Sequence, residues 1–255
     1  ILKVNFLGTG TSQGVPVIGC ECSVCKSLDY RDKRFRTSIH IKANGISLVI
    51  DTGPDFRMQM LRSGINKLDA IVFTHEHKDH TAGLDDIRPF NFMQQKDMPV
   101  FGKRQVIDQL KREYSYIFSD KKYPGVPQVA CVEIDENPFH IEGLAITPLP
   151  VLHYKLPVLG FRIGDFSYIT DANYIPESTL TLLEGSEVLV LNALQKESHI
   201  SHFTLDQAID QALKIGAKKT YFTHISHRLG NHQEVENELP EGIFLAYDGM
   251  ELTLL

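Results

Sequence analysis

Residues 74–80 read Thr74-His75-Glu76-His77-Lys78-Asp79-His80 and follow the apolar run Ala70-Ile71-Val72-Phe73. Four side chains of metal-binding type, His75, His77, Asp79 and His80, fall within six residues, where a buried strand gives way to a turn. In an extended or turning segment, residues two apart can direct their side chains to one side, so His75 and His77 can share one ion. Asp79 and His80 open the next helix and can face a second ion, so one short segment can feed two metals. The alternative is a polar loop that is merely rich in histidine. Packed this densely, unpartnered imidazoles and carboxylates would repel one another or stay unsatisfied.

Length and composition agree with one enzyme domain over residues 1–255. Of 255 residues, 42% are hydrophobic, enough for a substantial core, and no low-complexity tract or linker divides them. No apolar stretch approaches the roughly 18 to 20 residues of a membrane span, and no charged segment followed by an apolar leader opens the chain. A cytoplasmic protein without membrane contact is therefore expected, although the chain does not begin with Met and its true start is not visible. The formal charge of −6 argues against sequence-independent binding of extended nucleic acid, which relies on clustered Lys and Arg. A small anionic substrate drawn in by metals fits this balance. The oligomeric state is open, a homodimer included.

The four cysteines divide into three and one. Cys20, Cys22 and Cys25 form C-x-C-x-x-C in the loop Gly19-Cys20-Glu21-Cys22-Ser23-Val24-Cys25, a spacing that suits thiolates converging on a tetrahedral zinc. Three ligands leave one position to fill. Redox-active or simply buried thiols are the alternative, but a disulfide framework prefers an even count and an oxidising compartment. Cys131, in the apolar string Val129 to Val132, reads as a core residue.

Short strands alternate with helices along the chain. Strands are expected at Leu2–Leu7, Ser38–Lys42, Ser47–Ile50, Ala70–Phe73, Leu144–Thr147, Leu159–Ile163, Phe166–Ile169, Val188–Leu191, Lys219–Phe222 and Ile243–Ala246, with a last one after Glu251. Helices are expected at Lys103–Phe118 and Leu205–Ile215, the latter with a Thr204/Gln207 capping box and Gly216 as terminator. Tyr114, Tyr116, Phe118 and Tyr123 read as core at helical spacing, with a substrate lid as the alternative.

The segment His75–His80 resembles the His-x-His-x-Asp-His signature of the metallo-β-lactamase superfamily. That resemblance implies an α/β fold, a four-layer αββα sandwich, and three further ligands in order: a His after a strand, a bridging Asp, and a late His. His153, Asp171 and His224 stand at such places. It further implies that His75, His77 and His153 take one metal and Asp79, His80 and His224 the other, with Asp171 and a nucleophilic hydroxide between them. Asp51, after Ser47–Ile50, resembles the superfamily's Asp that orients ligands. Two divalent ions less Asp79, Asp171 and hydroxide leave one positive charge, which favours a phosphodiester monoanion without excluding neutral esters or amides. Zinc, manganese or iron would suit such a ligand set.

The resemblance extends beyond the signature. Gly8-Thr9-Gly10-Thr11, the cysteine loop, Thr223-His224-Ile225-Ser226-His227 and Tyr247-Asp248-Gly249-Met250-Glu251 are similar to motifs of the PhnP family of cyclic phosphodiesterases, so the likeness covers essentially the whole chain. In that family the three cysteines and the second His of T-H-I-S-H hold a structural zinc, which here implies Cys20, Cys22, Cys25 and His227; read alone, His227 is a loop His beside Arg228. The family also places a non-ligand His beside the metals. Ser201-His202-Phe203-Thr204 fits, so His202 is expected to donate a proton to the leaving oxygen or hold a phosphoryl oxygen, with His199 as competitor. Lys155 and Arg228 could contact phosphate, while His40, His140 and His232 read as structural or surface residues.

Two departures bear on the substrate. His153-Tyr154-Lys155-Leu156-Pro157-Val158-Leu159-Gly160 reads as a lengthened turn that reshapes one wall of the pocket, and Asn192-Ala193-Leu194 replaces a more polar stretch. Rival functions also leave marks in a sequence. A di-iron redox relative would carry Glu in place of His77, a glyoxalase II-like thioesterase a C-terminal helical domain, and a tRNA 3′-processing nuclease an inserted basic arm. None of these is read within residues 1–255, so a phosphodiesterase remains the expectation. A PqqB-like cofactor-biosynthesis protein would depart from the full ligand set, which here is complete, and a non-catalytic zinc-binding module would have no need of it.

Overall fold

The computed structural model describes residues 1–254 and contains two seven-stranded mixed sheets flanked by helices. In the first half of the chain the strands are β1 (Leu2–Gly8), β2 (Ser38–Ala43), β3 (Ile46–Ile50), β4 (Ala70–Val72), β5 (Met98–Gly102) and β6 (Val129–Glu133). The second half supplies β7 (Phe139–Ile141), β8 (Leu144–His153), β9 (Leu156–Ile163), β10 (Phe166–Tyr168), β11 (Val188–Asn192), β12 (Lys219–Thr223), β13 (Ile243–Leu245) and β14 (Glu251–Leu254). One sheet runs β14-β1-β2-β3-β4-β5-β6 and the other β13-β12-β11-β10-β9-β8-β7, each antiparallel over one part and parallel over the other.

Strand β3 shows how the sequence builds four layers. All five of its residues are buried, because both faces of the strand are covered. Ile46, Leu48 and Ile50 join the cluster between the sheets with Val4, Phe6, Ile39, Phe161, Phe166 and Val190. Val49 points the other way, into a cluster with Phe56, Met60, Val106 and Leu110 from the helices Phe56–Ser63 and Arg104–Glu113. On the opposite flank, Leu189, Leu191 and Phe222 pack against Leu205, Ala208 and Ala212 of helix Leu205–Ile215. Each fully buried Phe or Leu in these clusters stabilises the fold by about 1.5–3 kcal/mol. No helix among the described residues is long and apolar enough to cross a membrane.

The expected strands all form, with shifted ends. Leu144–Thr147 lengthens into the ten-residue β8. Strands β5, β6 and β7 were not expected: β5 contains Pro99, which weakens a strand reading, and β6 and β7 are short edge strands of mostly half-buried or exposed residues. Cys131 lies on β6 and is only half-buried against the helix-side cluster, not in the core interior. The helix expected over Lys103–Phe118 breaks at Tyr114, whose φ of −107° and ψ of 40° separate Arg104–Glu113 from Ser115–Phe118. Tyr114 and Ile117 are core, whereas Tyr116 and Tyr123 are exposed, so the aromatic stripe is divided.

The turn after His153 is not lengthened. His153 pairs with Leu156, leaving a two-residue hairpin turn of Tyr154 and Lys155, and Pro157 lies inside β9 opposite Leu152. Leu152 spends its own N–H and C=O on Tyr174 and Asn173, so the N–H that Pro157 lacks is not missed there.

Candidate metal centre

The side chains singled out in the sequence gather at one edge of the sandwich, beyond the ends of β3, β4, β8, β10 and β12. Three of the seven non-glycine residues with left-handed backbone among those described are Asp51, Asp171 and His224, at φ 65°, 56° and 55°. Asp51 and His224 come directly after their strands, Asp171 three residues after β10. A left-handed residue there turns the chain abruptly, a conformation kept only where the surroundings impose it.

His75, His77, His153 and Asp171 bring one donor atom each within 4.8 Å of one another, and so do Asp79, His80, Asp171 and His224. Asp171 belongs to both sets and divides its oxygens between them. Its Oδ1 lies 3.0 Å from Nε2 of His224 and 3.4 Å from Nε2 of His80, while Oδ2 lies 3.7 Å from Nε2 of His75. Nε2 of His75 and Nδ1 of His77 meet at 3.1 Å, so the two rings present their donor nitrogens to the same point.

Three of the nitrogens facing away from the centre are held, while Nδ1 of His224 is buried without a partner. Nδ1 of His80 donates to Oδ2 of Asp51 at 2.7 Å. The hydroxyl of Thr74 donates to the same oxygen at 2.8 Å and accepts from Nδ1 of His75 at 2.9 Å. Nδ1 of His153 donates to the carbonyl of Ser201 at 2.9 Å. Each of these bonds leaves Nε2 as the free nitrogen, the arrangement in which an imidazole can bind a metal.

Charge in the cluster is strongly coupled. Burial opposes the charged form of His224, yet Asp171 and Asp79 outweigh it and push its pKa up to about 9. Burial likewise works against ionised Asp171, but His224 and His80 hold its carboxyl well below the usual range. His202 lies apart from this trend: burial brings it down to about 4 despite its contact with Asp171.

The residues fit a pair of cations. Nε2 of both His80 and His224 is buried without a hydrogen-bond partner, and an unsatisfied buried polar atom costs roughly 1–3 kcal/mol. Cations at the focus of these nitrogens and the Asp79 and Asp171 carboxylates would satisfy them. His, carboxylate and solvent sets take zinc or manganese.

A second cluster lies in the N-terminal loop. The Sγ atoms of Cys20, Cys22 and Cys25 stand 3.2, 3.4 and 3.6 Å from Nδ1 of His227, and the four donors converge as a tetrahedral zinc site requires. The backbone N–H of Cys25 brings the Cys22 thiol down to about 6, whereas burial pushes the Cys25 thiol up to about 11. Zinc would draw both to the thiolate form.

His202 is buried, with Nε2 3.4 Å from Oδ2 of Asp171, and His199 is exposed and makes no contact with Asp171. Lys155 lies over the ring of Tyr154, with Nζ 5.3 Å from its centroid, and Arg228 is exposed. Sequence reasoning passed over Thr74, the link from Asp51 to His75, and the role of Asn192, whose side chain bonds both N and O of Ala172 beside Asp171. Nothing local in the sequence distinguishes that threonine, since its partner is 23 residues away.

Comparison with known proteins agrees with this architecture. The family model of the beta-lactamase superfamily domain matches residues 47–225. The crystal structure of a new diphosphatase from the PhnP family is 41% identical, with a TM-score of 0.94 over 100% of this chain and 98% of that one. The octanoyltransferase of Porphyromonas gingivalis (strain ATCC BAA-308 / W83) is 40% identical over 253 residues, 98% of this chain but 51% of the relative, so the chain spans about half that relative's length. Ribonuclease Z of Mycobacterium sp. (strain KMS) is 24% identical over 92% of this chain and 88% of its own.

Proposed function

Because the chain belongs to the metallo-β-lactamase superfamily and, within it, to the PhnP family, we propose that it is a dinuclear metal-dependent phosphodiesterase acting on a small anionic phosphodiester, of cyclic ribose or nucleotide type. The observation that carries this reading is the division of Asp171, with Oδ1 toward His80 and His224 and Oδ2 toward His75. In it, His75, His77 and His153 would hold one divalent ion and Asp79, His80 and His224 the other, with Asp171 offering an oxygen to each. Zinc or manganese bound there would polarise a phosphoryl oxygen and make a water nucleophilic at neutral pH.

The protein's own groups do the rest. As the ester P–O bond breaks, its electron pair stays with the leaving oxygen, and His202, in its charged form, gives that oxygen the proton on Nε2. Asp51 and Thr74 keep His80 and His75 turned toward the centre. Cys20, Cys22, Cys25 and His227 would hold a structural zinc that ties the loop at 19–26 to the segment after β12, and residues 1–255 act as one hydrolase domain. Three closely spaced free thiols suit a reducing, cytoplasmic compartment.

A second reading comes from the diphosphatase relative: cleavage of a diphosphate linkage. A phosphate leaving group needs little protonation, so the two readings differ in their dependence on His202. RNA as substrate is disfavoured by the net charge of −6.

The test is metal analysis followed by turnover of bis(p-nitrophenyl) phosphate, cyclic ribose phosphates, 2′,3′-cyclic nucleotides, linear diesters and a nucleoside diphosphate diester. Two active-site metals with turnover of a diester are expected. His202→Ala should keep the metals and slow alkoxide release by about a hundredfold. Full metal loading with no turnover of any of these compounds would instead mark a binding module.

A further inference from the structure

We infer that the protein carries an anion site remote from the metal centre, in which Lys3, Lys42 and Lys67 receive a compact phosphoryl dianion, either free phosphate or the phosphate of a small monoester. The observation behind it is a like-charge pair. Lys3 of β1 and Lys42 of β2 stand directly opposite each other in the antiparallel ladder, so both side chains leave the same face of the sheet. Like charges placed this way destabilise a sheet, and an anion between them would reverse the effect. Among the described residues neither lysine enters an ion pair, whereas Lys67 pairs with Asp69 at 3.0 Å. Lysines guard many exposed sheet edges, but β1 and β2 are interior strands, with β14 beyond one and β3 beyond the other.

A cavity of about 290 Å³ is built over the pair. Its floor is the outer face of the sheet, where Lys3, Asn5, His40, Lys42 and Ser47 alternate with residues that point between the sheets, Val4, Ile41 and Leu48 among them. The helix Phe56–Ser63 ends at Gly64 and leaves this part of the face uncovered. The wall that follows is fastened to the floor at Ser47. The Ser47 hydroxyl donates to the carbonyl of Lys67 at 2.7 Å and accepts from Nε2 of His40 at 2.7 Å, while the Ser47 N–H donates to Asp69 at 2.9 Å. Three lysines less Glu251, the one carboxylate in the lining, leave two positive charges, the complement of a dianion. Asp69 lies outside the lining and is shared with Lys96, and Asn5 holds Glu251 at 3.3 Å, across β1 from Lys42. Burial and the Lys42 charge bring His40 down to about 4, so it adds no charge at neutral pH. Ser47 stands near the start of β3, whose far end leads to Asp51. Four residues at about 3.3 Å each put roughly 13 Å of strand between this floor and the metal centre.

Proton–nitrogen NMR of the zinc-loaded protein reads both places separately as inorganic phosphate is added. Amide signals of Lys3, Lys42, Ser47 and Lys67 should shift along one saturating curve, and acetate, with a single charge, should need about tenfold more to move them. Lys42→Gln, an exposed position, should weaken the phosphate curve about tenfold or more while any shift at Asp51 and His224 is kept. In phosphate-free buffer its urea midpoint should equal or exceed that of the wild type, because the opposed charge is gone. Lys3→Gln should repeat both results. A glycerol 3-phosphate curve tighter than that of phosphate assigns the cavity to an organic monoester, and equal curves assign it to the free ion. No saturating shift at these amides, or an undiminished curve in both variants, overturns the inference. Neither outcome depends on which substrate the metal centre takes.

Discussion

Nδ1 of His80 and Oδ2 of Asp51 are hydrogen-bonded at 2.7 Å, and neither side chain is exposed to solvent. The bond fixes which nitrogen of His80 faces the centre, and Asp51 reaches His75 as well through Thr74. Asp51→Asn is the informative change, because Asn tolerates the left-handed φ of 65° and should fold. Metal affinity should drop about 10- to 100-fold, read by competition with a chelator. Undiminished affinity would reduce Asp51 to a packing residue.

Cys22→Ala tests the second cluster. One zinc per chain should be lost while the other metals remain, and Tm should fall by roughly 5–10 °C, as expected for a loss of a few kcal/mol. Elemental analysis and thermal unfolding read both effects. An unchanged zinc count at full stability removes the site.

Backbone packing beneath the centre is tight enough to predict a glycine effect. A Cβ at Gly53 would lie 2.2 Å from the carbonyl oxygen of Asp79, and one at Gly83 would lie 2.1 Å from that of Gly53. Gly53→Ala should therefore destabilise the fold by about 2 kcal/mol or more and disturb metal uptake through Asp79. Gly164→Ala, left-handed but with nothing near its Cβ position, should cost only about 1–2 kcal/mol and keep the metals. Equal urea midpoints for the two variants would contradict this.

Acid sensitivity is predicted at His232, away from the candidate centre. Its Nδ1 accepts from Arg34 at 3.1 Å and its Nε2 faces Glu236 at 2.9 Å. Burial and the Arg34 charge bring its pKa from 6.5 down to about 4. Between these values the unfolded chain binds the proton and the folded chain does not, so stability is fully present above the upper value. It is lost as pH falls toward the lower, by up to about 3 kcal/mol. His232→Gln should flatten the decline in urea midpoint between pH 7 and pH 4.5. Parallel curves for the two proteins would rule out this residue as the cause.

Much of the fold was legible because its strands carry strong apolar runs. Ile46–Ile50 and Val188–Asn192 are buried on both faces, and the Thr204/Gln207 capping box and the left-handed Gly216 bound their helix as read. The misreadings fall where tertiary context prevails over local pattern. Tyr114 interrupts its helix and donates to the carbonyl of Thr81, 33 residues away. Pro157 sits in a strand because Leu152 spends its backbone groups elsewhere.

The donor types and their order from His75 to His224 are covalent facts readable along the chain, as are the apolar runs of the strands that precede them. That Asp171 turns one oxygen to each group of histidines, that Thr74 joins Asp51 to His75, and that His199 meets His202 nitrogen to nitrogen follows only from how the chain folds. Those relations depend on the angle at which separate strands end and on which lone pair faces which hydrogen. A linear pattern fixes neither, because both emerge only when the two sheets pack and the loops at their shared edge close on one another.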